Sequence, residues 1–488
     1  MKIAISYPPI PVGKETPLLA QNRQFQYFHE PTYIYPMVPA YAATLLSQAG
    51  YDVMWDDAIA EERTYNEWLK GLKRDSPDIV AIETKTPVVK KHWKIIDDIK
   101  EQSTDTKVVL LGDHVTALPS ESMENSKVDY VLCGGDFDFL LLNLIEYLDG
   151  KEKELEPGIW YRENAEIKNT GQFQLYHNLN DLPFIDRDLT KWWLYKEKNG
   201  NFKETPGTYT MVGRDCWWRK NGGCTFCSWS TLYPSFRVRK PELLVDEIGM
   251  LIERYRIKEV FDDTGTFPVG RWLTRFCDLM IERGYNKEVL FSGNMRFGAL
   301  SLDDYKLMKK AGFRMLLFGL ESASQRILNE INKGVTVEEI LNSCRKAKEA
   351  GLTVHITIMF GHAGASKDEE FQTYRLAEKL IENGYADTLQ STLVMPYPGS
   401  RLYKIALENG WLRYSPGEWE RWDMTEPVLK SADMTPQEVK QLCDETYKLF
   451  LSPKYVLRRI LSVRSFEDLK FTFRGARKVM GHIKDFSD

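Results

Sequence analysis

No run of eighteen apolar residues occurs in the 488-residue chain, so no segment is expected to span a membrane. Cysteine is scarce, and an odd seven with three crowded into one loop do not make a disulfide framework. They fit a reducing cytoplasm instead. Neither sign of charge dominates: 65 Lys and Arg stand against 70 Asp and Glu, a net charge of −5, which gives no reason to expect nucleic-acid binding. There is no internal repeat and no low-complexity tract. The opening Met1-Lys-Ile-Ala-Ile-Ser-Tyr-Pro-Pro9 is too short and too soon broken by proline for a signal peptide. What is present, 43% hydrophobic and 28% charged residues, suits a globular chain of two or three domains.

One stretch carries the chemistry. Gly213 to Trp229 gathers Cys216, Cys224 and Cys227 into twelve residues. Three thiolates on one Gly-containing loop can hold three irons of a [4Fe–4S] cluster and leave the fourth iron open to a substrate or cofactor. A structural zinc site wants a fourth Cys or His close by, and His177 and His355 are far off in sequence. A disulfide would leave one thiol over.

The loop resembles that of radical S-adenosylmethionine (SAM) enzymes, whose spacing is C-x3-C-x2-C with an aromatic residue before the last Cys, the place Phe226 fills. The first gap departs from the pattern, with seven residues, Trp217 to Gly223, instead of three. It reads as a loop insertion ahead of the well-matched Cys224-Thr-Phe-Cys-Ser-Trp229.

From Thr208 to about Tyr403, strands at Thr208–Val212, Glu259–Asp262, Val289–Gly293, Met315–Gly319, Thr353–Met359 and Ser391–Met395 alternate with helices, the pattern of a parallel barrel with its site at the strands' carboxyl ends. The resemblance implies a partial (β/α)6 TIM-like barrel and roles at successive strand ends. Asp262, Asp263 and Thr264 follow the second strand, where the family holds the SAM ammonium. Asn294 and Arg296 follow the third, and Arg296 would pair with the SAM carboxylate. Glu321 and Ser322 lie in a G-x-E-S-like stretch after the fourth. Met359-Phe-Gly-His-Ala-Gly364 resembles an M-x-G-x-P-G turn with Ala363 in place of Pro, and the stretch Val394 to Ser400 would contact adenine. Taken singly, Asp262, Asp263 and Glu321 also suit helix-capping turns.

Residues 1–150 alternate short apolar strands with helices, the pattern of a Rossmann-like, doubly wound parallel sheet that takes ligands at its carboxyl edge. The loops there hold Thr84, then Gly112, Asp113, His114, Thr116 and Leu118, then Gly134 and Gly135. They resemble the cobalamin (B12)-binding domain that precedes the barrel in a large subgroup of radical SAM enzymes. The D-x-H-x-x-G of His-ligated cobalamin domains is missing after the first strand, which implies base-off cobalamin without a His ligand. An α/β domain that holds no corrinoid is the plainer alternative.

Residues 151–207 look like a connector with a hairpin near Gly158–Arg162. Residues 411–488 look helical and end in a basic, aromatic-rich tail from Tyr455 to Lys478, expected either to cap the barrel mouth or to touch an anionic membrane.

The resemblance implies an enzyme that reductively cleaves SAM to a 5′-deoxyadenosyl radical and functionalises an unactivated carbon, by methyl transfer from cobalamin. Cyclisation or another oxidative outcome on the same scaffold, and a non-catalytic iron–sulfur or corrinoid sensor, are the alternatives. An external donor such as flavodoxin or ferredoxin would supply the electron, and the substrate would be a small or lipid-like molecule.

Overall fold

A computed structural model describes residues 1–10, 16–19, 25–197, 199 and 202–485. In the first sheet, β1 (Lys2–Tyr7), β2 (Asp52–Asp57), β3 (Ile79–Glu83), β4 (Lys107–Leu111) and β5 (Tyr130–Leu132) run parallel in the order 2-1-3-4-5. The strand Ile79-Val-Ala-Ile-Glu83 is buried along its whole length, as a central strand covered on both faces must be. Helices Met37–Gln48 and Phe137–Leu148 pack in one apolar cluster, and Tyr65–Asp75 and Val89–Gln102 in another. The order reverses between β1 and β3, the switch point where such sheets take ligands.

The hairpin expected in the connector, β6 (Ile159–Glu163) and β7 (Glu166–Asn169), extends this sheet antiparallel to β5. The first sheet therefore continues to Asn169, past residue 150.

The second sheet holds β8 (Gly207–Thr210), β9 (Glu259–Asp262), β10 (Leu290–Met295), β11 (Phe313–Glu321), β12 (Thr353–Phe360) and β13 (Thr388–Leu393), parallel and in chain order, curled into a half-barrel. The last strand begins at Thr388, ahead of the expected Ser391. Thr388, Gln390 and Thr392 face the bore, and polar residues on the inner side hide a strand from a search for apolar runs.

The tail corrects the expectation of a cap at the mouth. Helices Pro453–Ser462 and Phe466–Asp485 close the opposite end, where the strands begin. The Tyr455 hydroxyl donates to the Asp387 carbonyl beside β13 (3.1 Å), and Arg474 donates to the carbonyls of Phe202 (3.2 Å) and Lys203 (2.9 Å) ahead of β8. At the mouth side lies instead the segment around Trp419 and Trp422, whose indoles donate to Glu121 (2.8 Å) and the Pro396 carbonyl (2.9 Å). No helix among the described residues is long and apolar enough to cross a membrane.

Candidate active site

The loop after β8 is held from below by β9. Asp262, wholly buried at the end of β9, accepts from Thr210 Oγ1 (2.9 Å), the Val212 N–H (3.0 Å) and the Thr264 N–H (3.1 Å). Burial pushes its carboxyl up to about 6. Thr264 Oγ1 accepts in turn from the Gly213 N–H (2.8 Å). Both side chains fix the start of the cysteine loop and stand behind the cavity wall, so the structure gives Asp262 and Thr264 a positioning role.

The seven-residue gap holds a folded turn, the 3-10 helix Trp217–Asn221. Arg219 forks onto Asp215 (2.6 and 3.0 Å), Trp218 Nε1 donates to the Asn332 carbonyl (2.8 Å), and the Arg296 guanidinium lies 4.3 Å from the Trp218 ring centre. The turn closes on itself, so Cys216 and Cys224 both reach one cavity despite the longer spacing.

That cavity, of about 1310 Å³, runs through the half-barrel, and Cys216, Cys224 and Cys227 all line it. Cys216 Sγ lies 2.9 Å from Thr266 Oγ1, and Arg296 Nη1 lies 3.8 Å from Cys224 Sγ. Cys216 and Cys227 are each within electrostatic reach of Cys224. Burial pushes the Cys216 thiol up and the Cys227 thiol to about 12. A metal is what displaces such protons. No three His, Cys, Asp or Glu among the described residues form a single-ion site. Ligands of three different irons need not converge on one point.

Around the thiols stand Phe226, Asp263, Asn294, Arg296 and Glu321, all on the cavity wall. Asn294 donates to the Thr264 carbonyl (2.9 Å), while its Oδ1 is buried with no partner. A buried acceptor left over costs free energy unless a ligand fills it, and an ammonium group would. Glu321 sits at a bulge in β11 with φ +65° and accepts from Lys333 Nζ at 2.7 Å. Left-handed backbone at a non-glycine residue is strained and concentrates at functional sites. Arg296 donates to the Lys333 carbonyl and faces Cys224, so its charge is directed at the thiol set. Ser322 bonds the Thr373 hydroxyl (3.3 Å) and accepts from the Ser324 N–H (3.1 Å) off the cavity wall, which ties it into the turn. Thr266 lies in the stretch Phe261–Phe267 after the second barrel strand without being singled out there, and Lys333 went unread because it belongs to no recognisable motif.

None of the positions suggested for cobalamin lines this cavity. Gly112 (φ +124°) lets the β4 loop approach β3 so closely that a Cβ would lie 2.4 Å from the Thr84 carbonyl oxygen. Thr116 Oγ1 donates to the Gly112 carbonyl (2.7 Å) and accepts from the Gly134 N–H (3.0 Å). Leu118 packs against the main core. His114 is fully buried, 3.2 Å from Thr86 Oγ1 and 3.0 Å from Glu121, with the Trp419 ring at 5.3 Å. Thr84 bonds His92 Nδ1 (2.7 Å), and Asp113 faces Lys85 (3.4 Å). Gly135 admits the barrel's Tyr233, into whose ring a Cβ would run at 1.8 Å, and its carbonyl accepts from Arg214 (2.8 Å). In this structure these residues join the sheet's carboxyl edge to the barrel and to the Trp419 segment.

Comparison with known proteins agrees with the geometry. Residues 212–377 match the radical SAM superfamily. The chain is 28% identical over 449 residues to an uncharacterized methyltransferase, PH0819, of Pyrococcus horikoshii, covering 91% of this chain and 94% of that one. It is 24% identical over 431 residues to an anaerobic magnesium-protoporphyrin IX monomethyl ester cyclase of Cereibacter sphaeroides, covering 86% and 67%. Its fold matches the radical SAM methyltransferase TsrM of Kitasatospora setae, solved with cobalamin and a [4Fe–4S] cluster (TM-score 0.64, 15% identity, 85% and 79% covered). It also matches the cobalamin-dependent radical SAM enzyme OxsB, solved with aqua-cobalamin and SAM (TM-score 0.67, 14% identity, 99% and 71% covered). With three thiols at the mouth of a six-stranded parallel half-barrel behind a doubly wound sheet, the chain carries a radical SAM domain over residues 212–377 and shares the fold of cobalamin-dependent radical SAM enzymes.

Proposed function

We propose that this protein reductively cleaves SAM and functionalises an unactivated carbon of its substrate, by methyl transfer. The observation that carries the reading is the convergence on one cavity of Cys216, Cys224 and Cys227 with Asp263, Arg296 and the unpartnered Asn294 Oδ1. When bound, a [4Fe–4S] cluster supplies the electron that breaks a SAM carbon–sulfur bond and so starts radical chemistry. The chain's own residues do the rest. The three cysteines would hold the irons, with Thr266 hydrogen-bonded to Cys216 and the Arg296 guanidinium placed toward Cys224. Asn294 Oδ1 and the Asp263 carboxylate are acceptors for an ammonium group. The Glu321–Lys333 pair offers both signs of charge to a ribose and a carboxylate on the opposite side.

Methyl transfer rests on the names of the relatives and on the fold shared with enzymes solved with cobalamin. A corrinoid at the carboxyl edge of the first sheet would need the contact between His114 and Trp419 to open, because those side chains fill the edge in this structure. Ring closure is the second reading, favoured by the relative named as a cyclase.

The test is anaerobic incubation of the iron-loaded, reduced protein with SAM. Release of 5′-deoxyadenosine is expected from the native chain and from none of Cys216→Ala, Cys224→Ala and Cys227→Ala. Unchanged release from Cys227→Ala would reject the cluster assignment.

A further inference from the structure

The cavity does not end at the thiols. It continues down the half-barrel to Arg314, Thr353 and Thr388, at the first turns of β11 to β13, and then to the tail helices. Along β12, eight residues from Thr353 to Phe360, the bore is on the order of 23 Å long. Its two sides differ. Tyr209, Phe261, Met315 and Leu317 make one side apolar, while Thr357 and Gln390 make the other polar.

The bore reaches the surface through the tail. Leu451 and Ile460 line the cavity and are 56% and 63% exposed, so the opening has an apolar rim. The outward stripe of helix Phe466–Asp485 is apolar too. Phe466, Leu469, Phe473, Ala476 and Met480 recur at spacings of three and four and are all exposed, Phe473 at 73%. Leu457 and Leu461 extend the patch from the preceding helix. Soluble surfaces seldom carry so many large apolar side chains side by side without a partner to cover them.

Charge selects the partner. In a chain of net charge −5, residues 453–478 carry eight Lys and Arg against Glu467 and Asp468. Arg458 and Arg474 tie the tail to the barrel through backbone carbonyls, and Arg477 is paired with Glu30. Arg464 and Lys470 stand exposed beside the apolar stripe, with Lys470 against Glu467. At the rim, Arg459 and Arg314 lie 5.3 and 5.7 Å from the centre of the Phe471 ring. An apolar face flanked by cations is the chemistry of an anionic lipid surface.

We propose that the tail docks this protein on an anionic membrane surface and that its substrate is a long-chain membrane lipid, drawn through the barrel floor with its apolar chain lying along Tyr209, Phe261, Met315 and Leu317 toward the cysteines. The lipid assignment rests on the proposed function, whereas the docking surface stands without it.

The experiment is flotation of the full-length, iron-loaded protein with vesicles of phosphatidylcholine, alone or in equal parts with phosphatidylglycerol. Native protein should float with the anionic vesicles and stay down with phosphatidylcholine alone. Phe473→Glu and Leu461→Glu, both on the exposed stripe, should each weaken binding about tenfold or more while leaving 5′-deoxyadenosine release from SAM unchanged. A phosphatidylglycerol with a diazirine at the end of one acyl chain should crosslink to the β11 segment Met315–Leu317. Three results would overturn the proposal: no binding to anionic vesicles, equal binding of native and Phe473→Glu protein, or a dimer abolished by Phe473→Glu in the absence of lipid binding. Flotation and crosslinking with no SAM cleavage would instead reject the radical SAM reading and leave the docking surface standing.

Discussion

Asp262 and Asp263 are adjacent, yet they have different tasks. The first is enclosed and accepts three hydrogen bonds, from Thr210, Val212 and Thr264, and the second lines the cavity. Asp262→Ala leaves those donors buried and unmet, at a cost of roughly 3 kcal/mol, so a lowered thermal midpoint and poor iron retention are expected. Asp263→Asn should spare the midpoint and raise the KM for SAM. Calorimetry and a SAM titration of both variants check the division. Glu370 is a second buried carboxyl, accepting from the N–H groups of Gly361 and His362 at 3.0 Å each. Burial pushes it up to about 8. Its folded pKa is raised, so its contribution to stability is full below the unfolded value of about 4.3 and is lost as pH rises through about 8. The native midpoint should therefore fall as pH rises from about 4.3 to about 8, and Glu370→Gln should flatten that fall. An equally steep curve in the variant would assign the slope to other groups.

At the scale of elements, the joint between the two sheets is polar and buried. Arg214 donates to Asp138 at 2.6 Å, and Arg237 forks onto Asp136 at 2.6 and 2.7 Å. Arg214 and Asp138 are almost wholly enclosed. Breaking a buried pair by removing one partner costs about 3–5 kcal/mol, so Arg214→Ala should lower the unfolding midpoint and expose the link between the domains to protease. Limited proteolysis compared with the native chain measures this. The elements themselves were legible to different degrees. The strand Ile79–Glu83 and the second barrel strand Glu259–Asp262 have the bounds expected from the sequence, because continuous or abruptly ended apolar runs announce themselves. The sixth barrel strand was displaced because its bore-facing side chains are polar.

For the molecule as a whole, the open question is the corrinoid, and its test is cobalt per chain after anaerobic purification from cells supplied with cobalamin. About one cobalt per chain is the outcome expected if methyl transfer is the reaction, with release of the Trp419 segment from His114 seen as new solvent exchange at that segment. Cobalt near zero with SAM cleavage intact would leave ring closure or another radical outcome as the leading reading. The tail shows the same dependence on scale. Its basic, aromatic composition was plain in the sequence, but composition says nothing about which end of the half-barrel it covers.

The sequence by itself determined the cysteine loop, the alternation of strands and helices, and the strand ends that carry Asp263, Asn294, Arg296 and Glu321. Those are local properties, set by spacing, apolar periodicity and residue type along a short stretch of chain. Only the tertiary structure decided that Asp262, Thr264 and Ser322 stand behind the wall, that Lys333 meets Glu321 across twelve residues, and that Gly135 serves the barrel's Tyr233. It also decided that the tail closes the floor. Which way a side chain points, and what it meets, depends on twist, bulges and packing among segments far apart in the chain, and no local pattern encodes those.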